Sequence, residues 1–370
     1  MTLEVGAELE LVIERLAAGG DGVAHSDGLT VFVPRSAPGD RVRARVTRLM
    51  LRFARAEIAL LLEPGPARRE PPCPYYGRCG GCSWLHLDEA EQLRARVSIA
   101  RDALERLAGR TNLPEIEVVA SPRALGYRAR ARIAYAKGRI GFRARGSHEI
   151  VDVERCAVLD PETERALERL RANRPRGAGE VEIRGVDPTL ELEGGRLELG
   201  TQGFFQANRS LWERWLESVL GICGRGERAV ELYCGAGFYT ARLTRQFARV
   251  VALEGSADAA RLARRNSSAE IVAEAAEDWA PSHLADEKPE LVLLNPPRSG
   301  VRPAVAEAIG SSAAQRVVYV SCDPSTLARD LVRMGDAFRI ARLVLLDALP
   351  QTHHVELVVG LERIDIALRR

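Results

Sequence analysis

The apolar run Val317-Val318-Tyr319-Val320 ends in Ser321-Cys322-Asp323-Pro324, a strand feeding a helix. A thiol at such a junction lies near a helix N-terminus, whose dipole and unsatisfied N–H groups favour the thiolate and lower a thiol pKa from its usual ~8.5. A lone cysteine is more often an inert buried hydrophobe. Here its placement beside the turn Asn295-Pro296-Pro297-Arg298 makes Cys322 a candidate nucleophile. That turn closes a fully apolar strand with a polar residue and two prolines, at the sheet edge where open α/β folds bind ligands. Glu356 stands beside a second apolar run in Gln351-Thr352-His353-His354-Val355-Glu356-Leu357-Val358-Val359. Burial there raises a carboxylate pKa and makes the group a general base near neutrality. His353 and His354 read as hydrogen-bonding groups, because no third metal ligand accompanies them.

A cofactor site is written at Ala229–Phe238, an apolar strand running into the turn Cys234-Gly235-Ala236-Gly237. Gly235 and Gly237 let a ligand approach the backbone at the carboxyl end of the strand. The third glycine of a dinucleotide fingerprint is missing, since Tyr239-Thr240 stands in its place. Glu254 ends the next strand, 19 residues after Gly235, close to the ~20-residue spacing of a ribose-binding acid. An adenosine-type cofactor without a pyrophosphate cradle is implied, and S-adenosylmethionine fits better than a nicotinamide.

Seven cysteines stand at 73, 79, 82, 156, 223, 234 and 322. The odd number and the cytosolic character of the chain argue against a disulfide framework. Cys73, Cys79 and Cys82 follow Cys-x5-Cys-x2-Cys, with Cys156 downstream, and Gly77, Gly80 and Gly81 supply tight turns. Four thiolates close a tetrahedral zinc site or hold a four-iron cluster, and the spacing alone leaves the two about even.

These residues need scaffolds. Residues 1–63 read as short strands around Gly19-Gly20-Asp21-Gly22 and Pro38-Gly39-Asp40. The alternation Arg41-Val42-Arg43-Ala44-Arg45-Val46 puts three arginines on one strand face, giving a small barrel with a basic outer surface. A Pro/Gly linker follows, then a helix from about Asp88 to Ala108, then mixed strand and turn over 113–198. From about 200 onward, the strands Arg228–Tyr233, Val250–Glu254, Leu291–Asn295 and Val317–Ser321 alternate with helical stretches, the pattern of a doubly wound parallel sheet.

The 370 residues carry 46% hydrophobic and 28% charged side chains and a net charge of +2, an ordinary globular composition with room for two or three domains. No run approaches the ~18 apolar residues of a membrane span, and no signal peptide opens the chain, so a cytoplasmic protein is expected. Only Lys137 and Lys288 are lysines among 53 positive charges. Eight basic residues and no acid lie between Ser121 and Arg145, and six arginines and no acid between Arg41 and Arg55. Each run alone reads as a solvated face about as readily as anything else. Two in a near-neutral chain favour a polyanion partner.

The order and combination of these motifs, with Gln202-Gly203-Phe204-Phe205-Gln206-Ala207-Asn208 and Glu231-Leu232-Tyr233-Cys234, resemble the RNA 5-methyluridine methyltransferases that carry an N-terminal TRAM barrel and a four-iron cluster. The likeness runs over nearly the whole chain. It implies a Rossmann-like class I methyltransferase sheet (89–112 and 199–370), an OB-like TRAM β-barrel (1–63), and a mixed α+β iron–sulfur and RNA-binding domain (71–88 and 113–198). Cys322 would attack C6 of a uridine and Glu356 would remove the C5 proton. Gln206, Tyr233, Gly235, Gly237, Phe238, Glu254 and Asn295 would contact S-adenosylmethionine. Phe204 and Phe205 would stack on a flipped base, and Arg298, Arg128, Arg130 and Arg132 would meet RNA. Cys73, Cys79, Cys82 and Cys156 become ligands of a [4Fe-4S] cluster, favoured over zinc. Asn295 replaces the family's usual Asp, and Phe238 a frequent Asn. The expected activity is uridine C5 methylation by a monomer acting on 23S ribosomal RNA, with the T-loop of transfer RNA as the alternative. An amino-group methyltransferase, suggested by Asn-Pro-Pro alone, needs no nucleophilic cysteine and ranks lower.

Overall fold

A computed structural model describes residues 3–185, 189–192, 195–200 and 205–364. The chain divides into two compact units. The first holds Met1–Ile99, Arg123–Gly185 and Leu349–His354, and the second holds Ala100–Pro122, Val186–Ala348 and Val355–Arg370.

The first unit opens with β1 (Glu8–Val12), β2 (Arg15–Leu16), β3 (Gly22–Ser26), β4 (Leu29–Val33), β5 (Arg41–Leu49) and β6 (Phe53–Glu63). They form one curled sheet in the order β1-β5-β6-β4-β3-β2. Register shifts along β5 and β6 add the local twist that lets a sheet curl. Val42, Ala44 and Val46 point into a core with Leu11, Ile13, Val31 and Val33, as the alternation predicts. The arginines do face outward, but the expected basic surface is largely neutralised. Arg45 pairs with Glu8, Arg43 with Glu10, Arg41 with Glu63, and Arg55 with Asp21. The register that places β1 opposite β5 supplies Glu8 and Glu10, and β6 supplies Glu63.

Helix α1 (Glu89–Asp102) and β7 (Ile116–Val119) follow the linker. A second sheet then forms from β8 (Arg130–Ala136), β9 (Arg139–Arg143), β10 (Ile150–Asp152) and β11 (Gly179–Arg184), ordered β10-β9-β8-β11 and backed by α2 (Pro161–Ala172). Asp160 caps α2 through the Thr163 N–H, with Pro161 at the first helical position. The segment Leu349–His354 is gripped within this unit. Arg96, fully buried over the Trp84 ring, donates to the Thr352 and Leu349 carbonyls at 2.8 and 3.3 Å.

The second unit contains the hairpin β12 (Thr189–Leu192) and β13 (Gly195–Glu198), then an alternating series. Its strands are β14 (Gly226–Leu232), β15 (Phe247–Leu253), β16 (Glu270–Val272), β17 (Leu291–Leu294), β18 (Arg316–Ser321), β19 (Phe338–Leu346) and β20 (Glu356–Arg363). Its helices are α3 (Trp212–Cys223), α4 (Thr240–Leu243), α5 (Ala257–Asn266), α6 (Ala276–Glu287), α7 (Pro303–Ser311) and α8 (Pro324–Arg333). The sheet order is β16-β15-β14-β17-β18-β20-β19-β7, with β20 antiparallel to both neighbours. This is a class I methyltransferase sheet. Leu291–Leu294 and Val317–Val320 are completely buried, which explains their unbroken apolar sequence. Among the described residues no helix is long and apolar enough to cross a membrane.

Candidate active site

The site is built where β18 and β20 end and begin. Their antiparallel register pairs Ser321 with Leu357 and so brings Cys322 opposite Glu356. Cys322 is half-buried at the strand end, between Ser321 and the cap of α8. The exposed residue Arg298 acts electrostatically on both, favouring the thiolate of Cys322 and the carboxylate of Glu356. Burial pushes Glu356 up to about 8, with the Arg298 guanidinium pulling it back down. A base with that value is poised near neutrality, as its sequence position suggests.

The thiol departs from its expectation. Burial pushes Cys322 up to about 11, Glu356 raises it further, and Arg298 lowers it. The helix N-terminus does not produce the predicted thiolate. Asp323, not Cys322, is the cap, accepting the Ser325 and Thr326 N–H groups at 2.9 and 3.0 Å. The donors that would have favoured a thiolate are taken, and the capping carboxylate repels one.

The cofactor loop follows β14. Gly235 has φ +58° and faces open space, with nothing within 4 Å of where a Cβ would stand. Gly237, at φ +87°, packs its backbone against Ala263 of α5. Glu254, at the end of β15, accepts from the Gly235 N–H at 2.9 Å and the Ser256 N–H at 2.8 Å, tying two strand ends together. Tyr233 takes a left-handed φ of +61°, uncommon outside glycine, and donates to Glu277 at 2.8 Å. Glu277 was not anticipated, although an acid in the first turn of a helix after the third strand was a usable signal. Phe238 lies edge-on to Tyr239, and Asn295 ends β17. The Gln206 carbonyl accepts from the Trp212 indole at 2.8 Å.

Phe205 corrects the base-stacking expectation. Its ring is only 5% exposed and meets Trp212 edge-on, so it is a core side chain rather than an open platform. Phe204 lies outside the described residues. The arginines of the longer basic run are also engaged. Arg130 is half-buried and pairs with Glu182 at 3.6 Å, and exposed Arg132 stands 3.9 Å from Glu180. Both acids come from β11, the antiparallel neighbour of β8. Arg128 donates to the Arg130 carbonyl and lines the cysteine cavity.

That cavity, inside the first unit, is walled by Cys73, Cys79, Cys82 and Cys156 with Tyr75, Leu85 and Phe142. All four are free thiols. Burial pushes Cys156 up to about 11 and raises Cys79 and Cys82, while Arg128 pulls each of these three down. The donor chemistry suits iron or zinc. Among the described residues, however, no three His, Cys, Asp or Glu side chains are grouped so as to hold a metal ion.

Residues 281–364, which include Asn295, Cys322 and Glu356, match the family described as tRNA (uracil-5-)-methyltransferase, and residues 2–59 match the TRAM domain. A 23S rRNA (uracil(1939)-C(5))-methyltransferase of Chromohalobacter salexigens is 35% identical, over 95% of this chain and 89% of the relative. An RNA methyltransferase of Bdellovibrio bacteriovorus is 30% identical, over 98% and 96%. The crystal structure of Pyrococcus abyssi tRNA (uracil-54, C5)-methyltransferase with S-adenosyl-L-homocysteine superposes with a TM-score of 0.74 at 26% identity, over 95% of this chain and all of that one. The chain belongs to the TRAM-domain RNA (uracil-C5)-methyltransferases, which methylate uridine in RNA with S-adenosylmethionine as donor.

Proposed function

We propose that this chain methylates C5 of a uridine in 23S ribosomal RNA, with Cys322 as nucleophile and Glu356 as base. The observation that carries the reading is the β18–β20 register, which sets a thiol opposite a buried carboxyl at a sheet edge. Uracil C5 is a poor nucleophile until C6 is saturated, so covalent addition makes the chemistry possible. Cys322 loses its thiol proton to solvent, the resulting thiolate adds to C6, and the electron pair of the C5–C6 double bond moves toward C5. S-adenosylmethionine would supply an electrophilic methyl group to C5, its methyl–sulfur bond breaking to leave S-adenosylhomocysteine. Glu356 then removes the C5 proton, the double bond re-forms, and the Cys322–C6 bond breaks to release the thiolate.

On this reading Gly235, Gly237 and Glu254 frame the cofactor, with Tyr233, Phe238, Gln206 and Asn295 around it. Open space above Gly235 supports that assignment. Arg298 borders the reacting pair and is assigned to RNA with Arg128, Arg130 and Arg132; of the three on the basic run, Arg132 is the most exposed. The three-part division at 1–63, 71–88 with 113–198, and 89–112 with 199–370 is part of the same proposal.

Cys73, Cys79, Cys82 and Cys156 are the proposed ligands of a [4Fe-4S] cluster that orders the first unit. Four thiols around one cavity fit its all-cysteine ligation.

Ribosomal RNA is favoured because the chain is 35% identical to the ribosomal enzyme and 26% to the transfer-RNA enzyme. The strong structural match to the latter supports transfer RNA as the second reading. Mass spectrometry of both RNAs from a deletion strain decides between them. Loss of one 5-methyluridine from 23S RNA is expected. Loss from the T-loop instead would establish the second reading, and unchanged 5-methyluridine in both would overturn the proposal.

A further inference from the structure

Asp330 is completely buried on α8, eight residues after Cys322, and takes no part in the reaction described above. Its carboxylate is the hub of a network. One oxygen accepts from the Val301 N–H at 2.8 Å and the Tyr319 hydroxyl at 2.9 Å. The other accepts from Arg329 at 2.8 and 3.0 Å and from Arg333 at 3.4 Å. Arg329 also donates to the Ser299 carbonyl at 2.6 Å, and the Gly300 N–H closes back on Pro297 at 2.8 Å.

The turn Pro297–Val301 is thus pinned on the side of α8. Gly300 is needed there twice over. Its φ is +71°, and a Cβ would stand 2.2 Å from the Asp330 carboxylate. Tyr319 lies on β18, three residues before Cys322, so the strand that carries the nucleophile and the turn that follows Asn295 meet at one buried carboxylate. Within the pinned turn is Arg298, whose guanidinium acts electrostatically on both Cys322 and Glu356. The charged groups acting on Cys322 are Glu356, Arg298 and Asp323, and the one acting on Glu356 is Arg298. Arg298 is the sole cation of the set. A fixed backbone narrows the positions that the long side chain of Arg298 samples.

We propose that Asp330 is a positioning residue of the methyl transfer, locking the Pro297–Val301 turn so that the Arg298 guanidinium stays against both the Cys322 thiol and the Glu356 carboxyl. The proposal rests on the assignment of Cys322 as nucleophile. In it, Arg298 stabilises the thiolate before attack and holds Glu356 ionised for proton removal. Asp330 contributes only through Arg298.

A double-mutant cycle on the full-length enzyme tests this, using the rate of covalent adduct formation with RNA carrying 5-fluorouridine. Arg298→Met and Asp330→Asn should each slow the adduct at saturating RNA by about tenfold or more and shift its pH dependence upward. The double variant should be no slower than Arg298→Met alone. Tyr319→Phe, which removes one donor and keeps the carboxylate, replaces Asp330→Asn if the latter unfolds, and should show the same non-additivity at a smaller effect. Effects that multiply, or a normal adduct rate in the lock variant, would overturn the proposal. Absence of any adduct in the wild-type enzyme would instead sink the nucleophile assignment.

Discussion

Cys322 and Cys156 are both thiols that burial has pushed up to about 11, yet their surroundings differ in kind. Cys156 shares a cavity with three further cysteines. Cys79 raises it by like-charge repulsion, and Cys156 in turn raises Cys82. The groups acting on Cys322 are instead one carboxyl, one guanidinium and one capping carboxylate. Burial therefore does not separate a ligand from a nucleophile, because it acts on both alike. Their neighbours do. A set of four thiols suits a multivalent cation, whereas one thiol with an acid and an arginine suits addition to carbon followed by proton removal.

The sharpest way to break that contrast is to exchange the roles. Cys322→Ala should lower turnover by at least about a thousandfold while leaving the metal content of the proposed cysteine cluster unchanged. Retained turnover would favour amino-group chemistry. Cys156→Ser should do the reverse, losing visible iron–sulfur absorbance while residue 322 still forms an adduct.

Glu356→Gln should reduce kcat by roughly 10²–10⁴-fold. It blocks proton removal after methylation, so a methylated RNA–protein adduct should accumulate on denaturing gels. An adduct-free gel with slow turnover would assign the base elsewhere.

Because the Glu356 carboxyl is raised to about 8, it must lose its proton to act, and kcat should climb with pH through that value. Folding responds in the opposite sense. Between the ordinary carboxylate pKa of ~4.3 and about 8, the folded state holds a proton that the unfolded state has released, so stability falls as pH rises across that window. The slope is at most about 1.4 kcal/mol per pH unit. Melting temperatures of wild type and Glu356→Gln measured from pH 5 to 9 should therefore converge at low pH and separate at high pH, with Gln the more stable. Parallel curves would mean that the carboxyl is not buried in its neutral form.

Much of this was legible in the chain. Strands β17 and β18 are legible as unbroken apolar runs and β14 and β15 as mostly apolar ones, and the chemistry-bearing residues sit at their ends. The Cys322 environment was misread although the signal was present. Asp323 followed by Pro324 is a cap and first helical residue, so the N–H groups were already spoken for. Phe205 was beyond reach, because its burial depends on Trp212 folding back over it. The pairing of Arg43 and Arg45 with Glu10 and Glu8 needed the strand register, which composition does not contain. That last point carries the smallest prediction. Arg45→Ala should cost only about 0.2–1 kcal/mol in stability and leave both thiol sites unchanged, as thermal unfolding and iron content would report.

The most direct trial of the account is incubation of the enzyme and S-adenosylmethionine with RNA carrying 5-fluorouridine at the target position, followed by peptide mass spectrometry. Fluorine leaves Glu356 no proton to remove, so a methylated pyrimidine should remain bonded to the peptide containing Cys322. Efficient binding and methyl-donor consumption with that peptide unmodified would contradict the mechanism.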